Sequence, residues 1–382
     1  MTVYMAYVSF IVFVVLLLLV NSYFLISLRI EKRKNDKIEK RKEIIKQDLI
    51  DVLEKNNINK QEKINKLKLS FNRKTDTQAF YYAVKEYQST HTNKEELTHL
   101  LEEVVNINKI LKSGVVRKEY KESYTLYLLS EFGLGNQEAG EFALASLNKK
   151  SLHVRNNALN VINKNEDITI MMRAIDMINN KNYYFNDKMI IDFLDNYIGD
   201  MNQLDEKLYL KMDGYNISLQ KNMISHFMNR NNGEEKVRVK MLDLIQISDE
   251  KEMIISGIRY FNKIIDQRAK EPILKNMRHS NWIIRATSVR VISKYTGKEI
   301  ITQLKETLTD ENYYVRFNSA ESFLKLADRE TVIKEAIRNE DRFARDILLY
   351  AMNIRGMITV EEYQQLVDED QATKRMEGVV AT

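Results

Sequence analysis

The 382-residue chain contains no cysteine, a single proline and only 11 glycines. Without cysteine it forms no disulfide, cysteine-ligated zinc site or iron–sulfur cluster, and it has no thiol nucleophile. Strand-rich folds turn often and use glycine and proline to do so. Scarcity of both therefore favours helices joined by short polar loops. Histidine is sparse too: His91, His99, His153, His226 and His279 lie far apart, and no His-Glu-x-x-His spacing occurs. The acidic pairs Glu95–Glu96, Glu102–Glu103, Glu234–Glu235 and Glu361–Glu362 converge on no histidine or glycine-rich loop. They read as solvated helix faces. Gly133-Leu-Gly135 lacks a preceding strand and Gly140 is misplaced for a phosphate loop, so a turn is expected there. The expectation is a chain with no catalytic residues, no metal ligands and no cofactor.

An excess of one charge is also missing from most of the chain. The net charge is +5, and +4 of it lies between Arg29 and Asp48, leaving the rest near neutral. A nucleic-acid-binding domain carries its own basic excess, so nucleic acid is disfavoured as a partner.

What is present is apolar sequence, 44% of the chain and enough for a large core. Residues Met5–Leu28 carry no charge over 24 positions. As a helix they span about 36 Å, sufficient for a bilayer core with some tilt. No Lys or Arg precedes the run and no small-residue cleavage site follows it, which argues against a secretory signal. Asn21 is expected near the inner headgroups. Arg29, Lys32, Arg33, Lys34 and Lys37 follow directly, so the positive-inside rule puts the N-terminus outside and the remainder in the cytoplasm. Arg29–Leu53 continues as a charged helix with a thin apolar line at Ile30, Ile38, Ile45, Leu49 and Val52. Its charges read as a stop-transfer flank or as a contact for anionic lipid. Residues 56–72 read as a polar linker.

From Thr75 helices resume at 76–87, 94–111, 116–132, 185–197, 216–228, 235–247, 250–265 and 272–278. The 199–215 stretch breaks this rhythm and is expected as a hinge or a long loop. Within the series lies a repeat. The segments 281–292, 312–323 and 341–352 align on Arg285, Arg316 and Arg345, at spacings of 31 and 29 residues. Each has apolar or small residues one before the arginine and three, four and seven after it. They are Ile284, Ser288, Val289, Ile292; Val315, Ser319, Ala320, Phe323; and Ala344, Leu348, Leu349, Met352. Arg155 heads a fourth copy with Val154, Ala158, Leu159 and Ile162. That spacing lays one stripe along a helix, and a helix repeated at fixed period signals a solenoid. A second helix follows: Ile170, Met171, Ala174 and Ile178 lie 15, 16, 19 and 23 residues after Arg155, and Ile300, Ile301, Leu304 and Leu308 lie at the same offsets after Arg285.

The hydrophobic-Arg-x-x-small-hydrophobic segment at Val154-Arg155, Ile284-Arg285, Val315-Arg316 and Ala344-Arg345 resembles the HEAT repeat, in the short form of many bacterial proteins. The resemblance implies an all-α, HEAT-like or armadillo-type α-solenoid preceded by a single transmembrane helix. It further implies that the arginine pairs with an acid of the preceding loop, often of a neighbouring unit; Asp310 or Glu311 would serve Arg316 and Glu340 would serve Arg345. Arg285 and Arg155 lack an acid at that spacing. The implied organisation is a transmembrane helix at 5–28, a charged juxtamembrane helix and linker at 29–72, a repeat domain at 75–360, and a cap and tail at 361–382.

Two readings of the marked residues stand side by side. Arg155, Arg285, Arg316 and Arg345 form a structural ladder or line an anionic site. Trp282, Tyr313, Tyr314 and Phe343 fill gaps between units, or form an aromatic row for a protein partner. The function expected is a membrane-tethered cytosolic scaffold that binds a partner protein, in layout like the accessory subunits of membrane glycosyltransferases. The alternatives are a HEAT-like enzyme of DNA-glycosylase or lyase type, and a ligand-sensing module.

Overall fold

The computed structural model describes residues 2–54, 59–70, 74–91, 94–105, 119–180, 185–366 and 368–369. These residues are helices and connecting turns, with no strand among them. They divide into two compact units, one of residues 1–183 with 197–200 and one of 184–196 with 201–382.

The first unit begins with α1, which runs unbroken from Thr2 to Leu53. Phe10 to Leu28 are exposed along its upper part, a stretch long and apolar enough to cross a membrane. Below it the thin apolar line acquires a purpose: Ile38, Ile45, Leu49 and Val52 are buried, and the helix packs on α3 (Lys74–Thr90). Ile30, at the head of that line, stays exposed. The segment expected as a linker contains α2 (Lys60–Leu69), whose Ile64 and Leu67 are buried. Its lysines masked a stripe of only two core residues. Charges close this corner. Lys42 and Lys46 both reach Glu86, and Lys63 bonds Asp51. These side chains therefore hold α1 to its neighbours rather than forming a wholly solvated flank.

The unit continues with α4 (Lys94–Val104), α5 (Glu119–Glu131), α6 (Gln137–Ser146), α7 (Leu152–Asn163) and α8 (Ile168–Asn179). The expected helical residues 106–111 and 116–118 lie outside the described residues, as do 370–382 of the tail. Helix α6 was not expected. Gly133 ends α5 as anticipated: at φ +69° it lets Leu134 N–H donate to Leu129 O and its own N–H to Ser130 O. This pairing satisfies carbonyls that the helix end would leave bare.

The second unit is a run of stacked helices: α9 (Asp187–Asp195), α10 (Met201–Lys211), α11 (Ile217–Asn229), α12 (Glu235–Ile247), α13 (Lys251–Lys263), α14 (Lys270–Asn276), α15 (Trp282–Ile292), α16 (Lys298–Thr307), α17 (Tyr313–Leu326), α18 (Arg329–Arg338) and α19 (Arg342–Ile354). The stretch expected to break the rhythm is thus mostly helix α10, with Leu204 and Leu208 buried. Its four charges and lack of a long apolar run hid that face. Helices α9, α11, α13, α15, α17 and α19 pack each on the next, forming one layer. Helices α12, α14, α16 and α18 back this layer.

The reason is in the stripes. Every first-helix stripe position named above is buried, from Val154 to Met352. Each large aliphatic side chain so buried contributes about 1.5–3 kcal/mol, the main drive for stacking. Small residues at the crossing points keep the layers close. Ser288 and Ser319 are fully buried, and each hydroxyl donates to a carbonyl one turn back, of Ile284 and Val315. Between units, side chains tie to backbone about thirty residues away: Asn318 to Ala286 O, Ser322 to Val289 O, Asn276 to Ile245 O. Asn281, Asn312 and Asp341 accept from N–H groups of the first turns of α15, α17 and α19. These caps fix where each repeat starts.

Candidate partner-binding face

The four arginines share one geometry. Each guanidinium Nη1 donates to loop carbonyls five or six residues back. Arg155 bonds Lys149 O and Lys150 O, Arg285 bonds His279 O and Ser280 O, Arg316 bonds Asp310 O and Glu311 O, and Arg345 bonds Asn339 O. Arg155 and Arg285 are buried and the other two are partly exposed. The acid expected for Arg316 goes elsewhere. Asp310 pairs with Arg285 of the preceding unit, its Oδ2 2.7 Å from Nε and its Oδ1 2.9 Å from Nη2, with Glu311 at 3.2 Å. Arg316 donates to the backbone carbonyls of those two residues and not to their carboxylates. Spacing located the right loop; stacking sent its carboxylate to the other neighbour. Burial opposes Arg285's charge less than the Asp310 hydrogen bond favours it, so its pKa is raised. The arrangement is a clamp between units.

The aromatic residues stand outside the core. Trp282, Tyr313, Tyr314 and Phe343 are 39%, 47%, 60% and 64% exposed. Position explains this: they occupy the first turn of α15, α17 and α19, just after the caps, on the side away from the buried stripe. The Trp282 and Tyr314 rings stack with centroids 5.6 Å apart at 19°. Tyr313 meets Tyr314 edge-on at 5.6 Å and stacks on Phe317 at 6.1 Å, and Phe317 meets Tyr350 at 6.3 Å. The rings therefore run continuously over three successive helices. Phe343 stands apart from that chain, with the Arg316 guanidinium 5.3 Å above its ring. Phe317 and Tyr350 were not singled out in the sequence. Their helical spacing from Tyr313 and Phe343 was the available signal.

One further cluster went unrecognised. His226 on α11 is completely buried, with Nδ1 on Asp195 Oδ1 and Nε2 3.0 Å from Asp205 Oδ1. Arg230 Nε and Asn232 Nδ2 both donate to Asp205 Oδ2 at 3.0 Å, and Asn229 donates to Asp195. Carboxylates only accept, so both imidazole nitrogens carry protons. Burial disfavours the charged ring, but the hydrogen bonds to Asp195 and Asp205 outweigh it and raise the pKa. Asp205 is likewise opposed by burial and held below its ordinary range by His226 and Arg230. With its polar atoms spent internally and its ring sealed, this network ties α9, α10 and α11 together. Among the described residues no group of three or more His, Asp or Glu is placed to hold a metal ion.

The chain is thus an all-helical repeat protein with one long apolar N-terminal helix. No family model matches it, and no curated protein does. It is similar to an engineered protein solved by a structural genomics consortium, at 12% identity and a TM-score of 0.35, over 84% of this chain and 94% of that one. It is also similar to human deoxyhypusine hydroxylase in complex with glycerol, at 13% identity and a TM-score of 0.27, over 66% of this chain and 96% of that one. Likeness at this level says nothing of activity. The class rests on the chain's own stacked helix pairs.

Proposed function

We propose that the chain is a membrane-tethered scaffold of short HEAT-like repeats, which binds a partner protein through the exposed ring row of its second unit. The observation that carries this reading is the row itself: Trp282, Tyr314, Tyr313, Phe317 and Tyr350 form an unbroken aromatic strip over three helices. Large rigid rings at a surface supply binding energy at small entropic cost, and contiguous apolar patches mark interaction sites. The α1 span is the tether, with its N-terminus outside and the repeats in the cytoplasm. An accessory subunit of a membrane enzyme complex, such as a glycosyltransferase, fits that layout.

The test is crosslinking in intact membranes followed by mass spectrometry, with the full chain and its Tyr314→Ala/Tyr350→Ala variant. One membrane-complex protein captured by the natural chain and lost in the variant is the expected result. Equal capture by both chains, or chance proteins only, ends the proposal.

A further inference from the structure

The ring row ends, on its α13 side, in a shallow cleft of about 190 Å³. Its lining includes Arg259 of α13, Trp282, Ala286 and Arg290 of α15, and Tyr314 and Asn318 of α17. Arginines elsewhere in this part of the chain have partners. Arg278 reaches Glu306, Arg285 reaches Asp310, Arg355 reaches Glu321, and Arg316 lies over Phe343. Arg259 and Arg290 are exposed, and neither has an ion pair or side-chain hydrogen bond among the described residues. Two guanidinium groups therefore flank a stacked Trp–Tyr pair with their donors unspent. Of the lining residues, these two alone carry charge, and both are positive.

We infer that this cleft recognises an acidic linear segment of the partner, with an Asp or Glu carboxylate on Arg259 and Arg290 and the adjoining apolar side chains on the ring row. The inference rests on the partner-binding reading and adds the chemistry of what is bound. A carboxylate matches the planar donor fork of arginine and takes two bonds from it. The Trp282–Tyr314 wall removes water from one side, which strengthens the pair relative to open solvent. The strip leading away is uncharged in its five rings, so the complementary segment carries apolar side chains beside its acidic ones.

The chain carries its own reporter, since Trp282 is its only tryptophan. Trp282 emission, excited where tyrosine does not absorb, would be titrated in the full chain in detergent with a peptide of alternating Glu and Leu. A peptide of alternating Gln and Leu is the control. The expected result is a saturable, salt-sensitive change with the Glu peptide alone, weakened about tenfold in Arg259→Glu/Arg290→Glu. Arg259→Gln/Arg290→Gln should fall between. Equal response to both peptides, or no effect of either arginine variant, overturns the acidic assignment while leaving the ring row as a docking face. Response to phosphatidylglycerol added as mixed micelles or to an oligosaccharide, without response to the Glu peptide, overturns it in favour of a lipid or a glycan. Failure of the scaffold reading itself is seen separately, in the crosslinking capture by Tyr314→Ala/Tyr350→Ala.

Discussion

If the ladder works as a clamp between units, Asp310 and Arg285 must be energetically coupled, and Asp310 and Arg316 must not be through their side chains. Both side chains of the first pair are 10% exposed. Two charge-assisted bonds join them, at 2.7 and 2.9 Å. A buried hydrogen bond to a charged group contributes about 1.5–3 kcal/mol, and leaving one partner of a buried pair alone costs about 3–5 kcal/mol. Arg285 keeps two carbonyl acceptors and Glu311, so Asp310→Ala belongs at the low end, at about 3 kcal/mol. Part of that loss comes from the Asn312 N–H, which also bonds Asp310 Oδ1. A double-mutant cycle removes it. Arg285→Ala, Asp310→Ala and the double variant should give a coupling of about 1.5–2.5 kcal/mol. The same cycle with Arg316→Ala should give less than about 0.5 kcal/mol. The assay is urea unfolding of the full chain in detergent, followed by Trp282 emission, a probe three residues from Arg285. A coupling near zero for Arg285, or a larger one for Arg316, would refute the inter-unit clamp.

Four other outcomes follow from the same reasoning. His226 has a raised pKa, so its contribution is full below its ordinary value of 6.5 and is lost as pH rises through the higher folded value. Asp205 is lowered, so its contribution is full above 3.8 and is lost as pH falls through the lower folded value. Urea midpoints against pH should therefore show a plateau between these limits, and His226→Gln should abolish the alkaline limb while lowering the plateau by about 3 kcal/mol. Leu49→Ala empties a fully buried site between α1 and α3 and should cost about 2–5 kcal/mol. Hydrogen exchange across residues 74–90 would show it, and unchanged protection there would count against the packing of α1 on the body. Gly133→Ala, at φ +69°, should cost about 1 kcal/mol by calorimetry; no loss would mean that the turn relaxes. Tyr314→Ala should shift stability by less than about 1 kcal/mol while removing partner capture, and the reverse pattern would make the ring a packing residue.

The core of the repeats was legible because it depends on one helix at a time. Ile284, Ser288, Val289 and Ile292 lie on one face whatever surrounds them, since the α-helical period fixes which side chains align. The same holds for the span, where an uncharged run of this length has one economical solution. Helix α2 was illegible for the converse reason. Two core residues, Ile64 and Leu67, among four lysines make no periodic signal, and only the approach of α1 and α4 buries them. The charged helix below the span was read along its apolar line, yet nothing local indicated that α3 would cover it.

Site residues divide along the same boundary. Trp282, Tyr313, Tyr314 and Phe343 could be marked from their place before each arginine, but core and surface are the two sides of one turn. Which side faced outward was decided by the stacking of α15, α17 and α19. The carboxylate of Asp310 could be assigned to a loop, though the choice between Arg316, six residues on, and Arg285, 25 residues back, belongs to the packing of neighbours. His226 shows the limit most plainly. It lies 31 residues from Asp195 and 21 from Asp205, separations without any local signature. The sequence by itself determined the repeat helices, their period and the membrane-length run, because these follow from bonding and hydrophobicity along a single segment. Only the tertiary structure decided which charges meet, which rings reach the surface and which arginines stay free, because those outcomes depend on segments tens of residues apart arriving together.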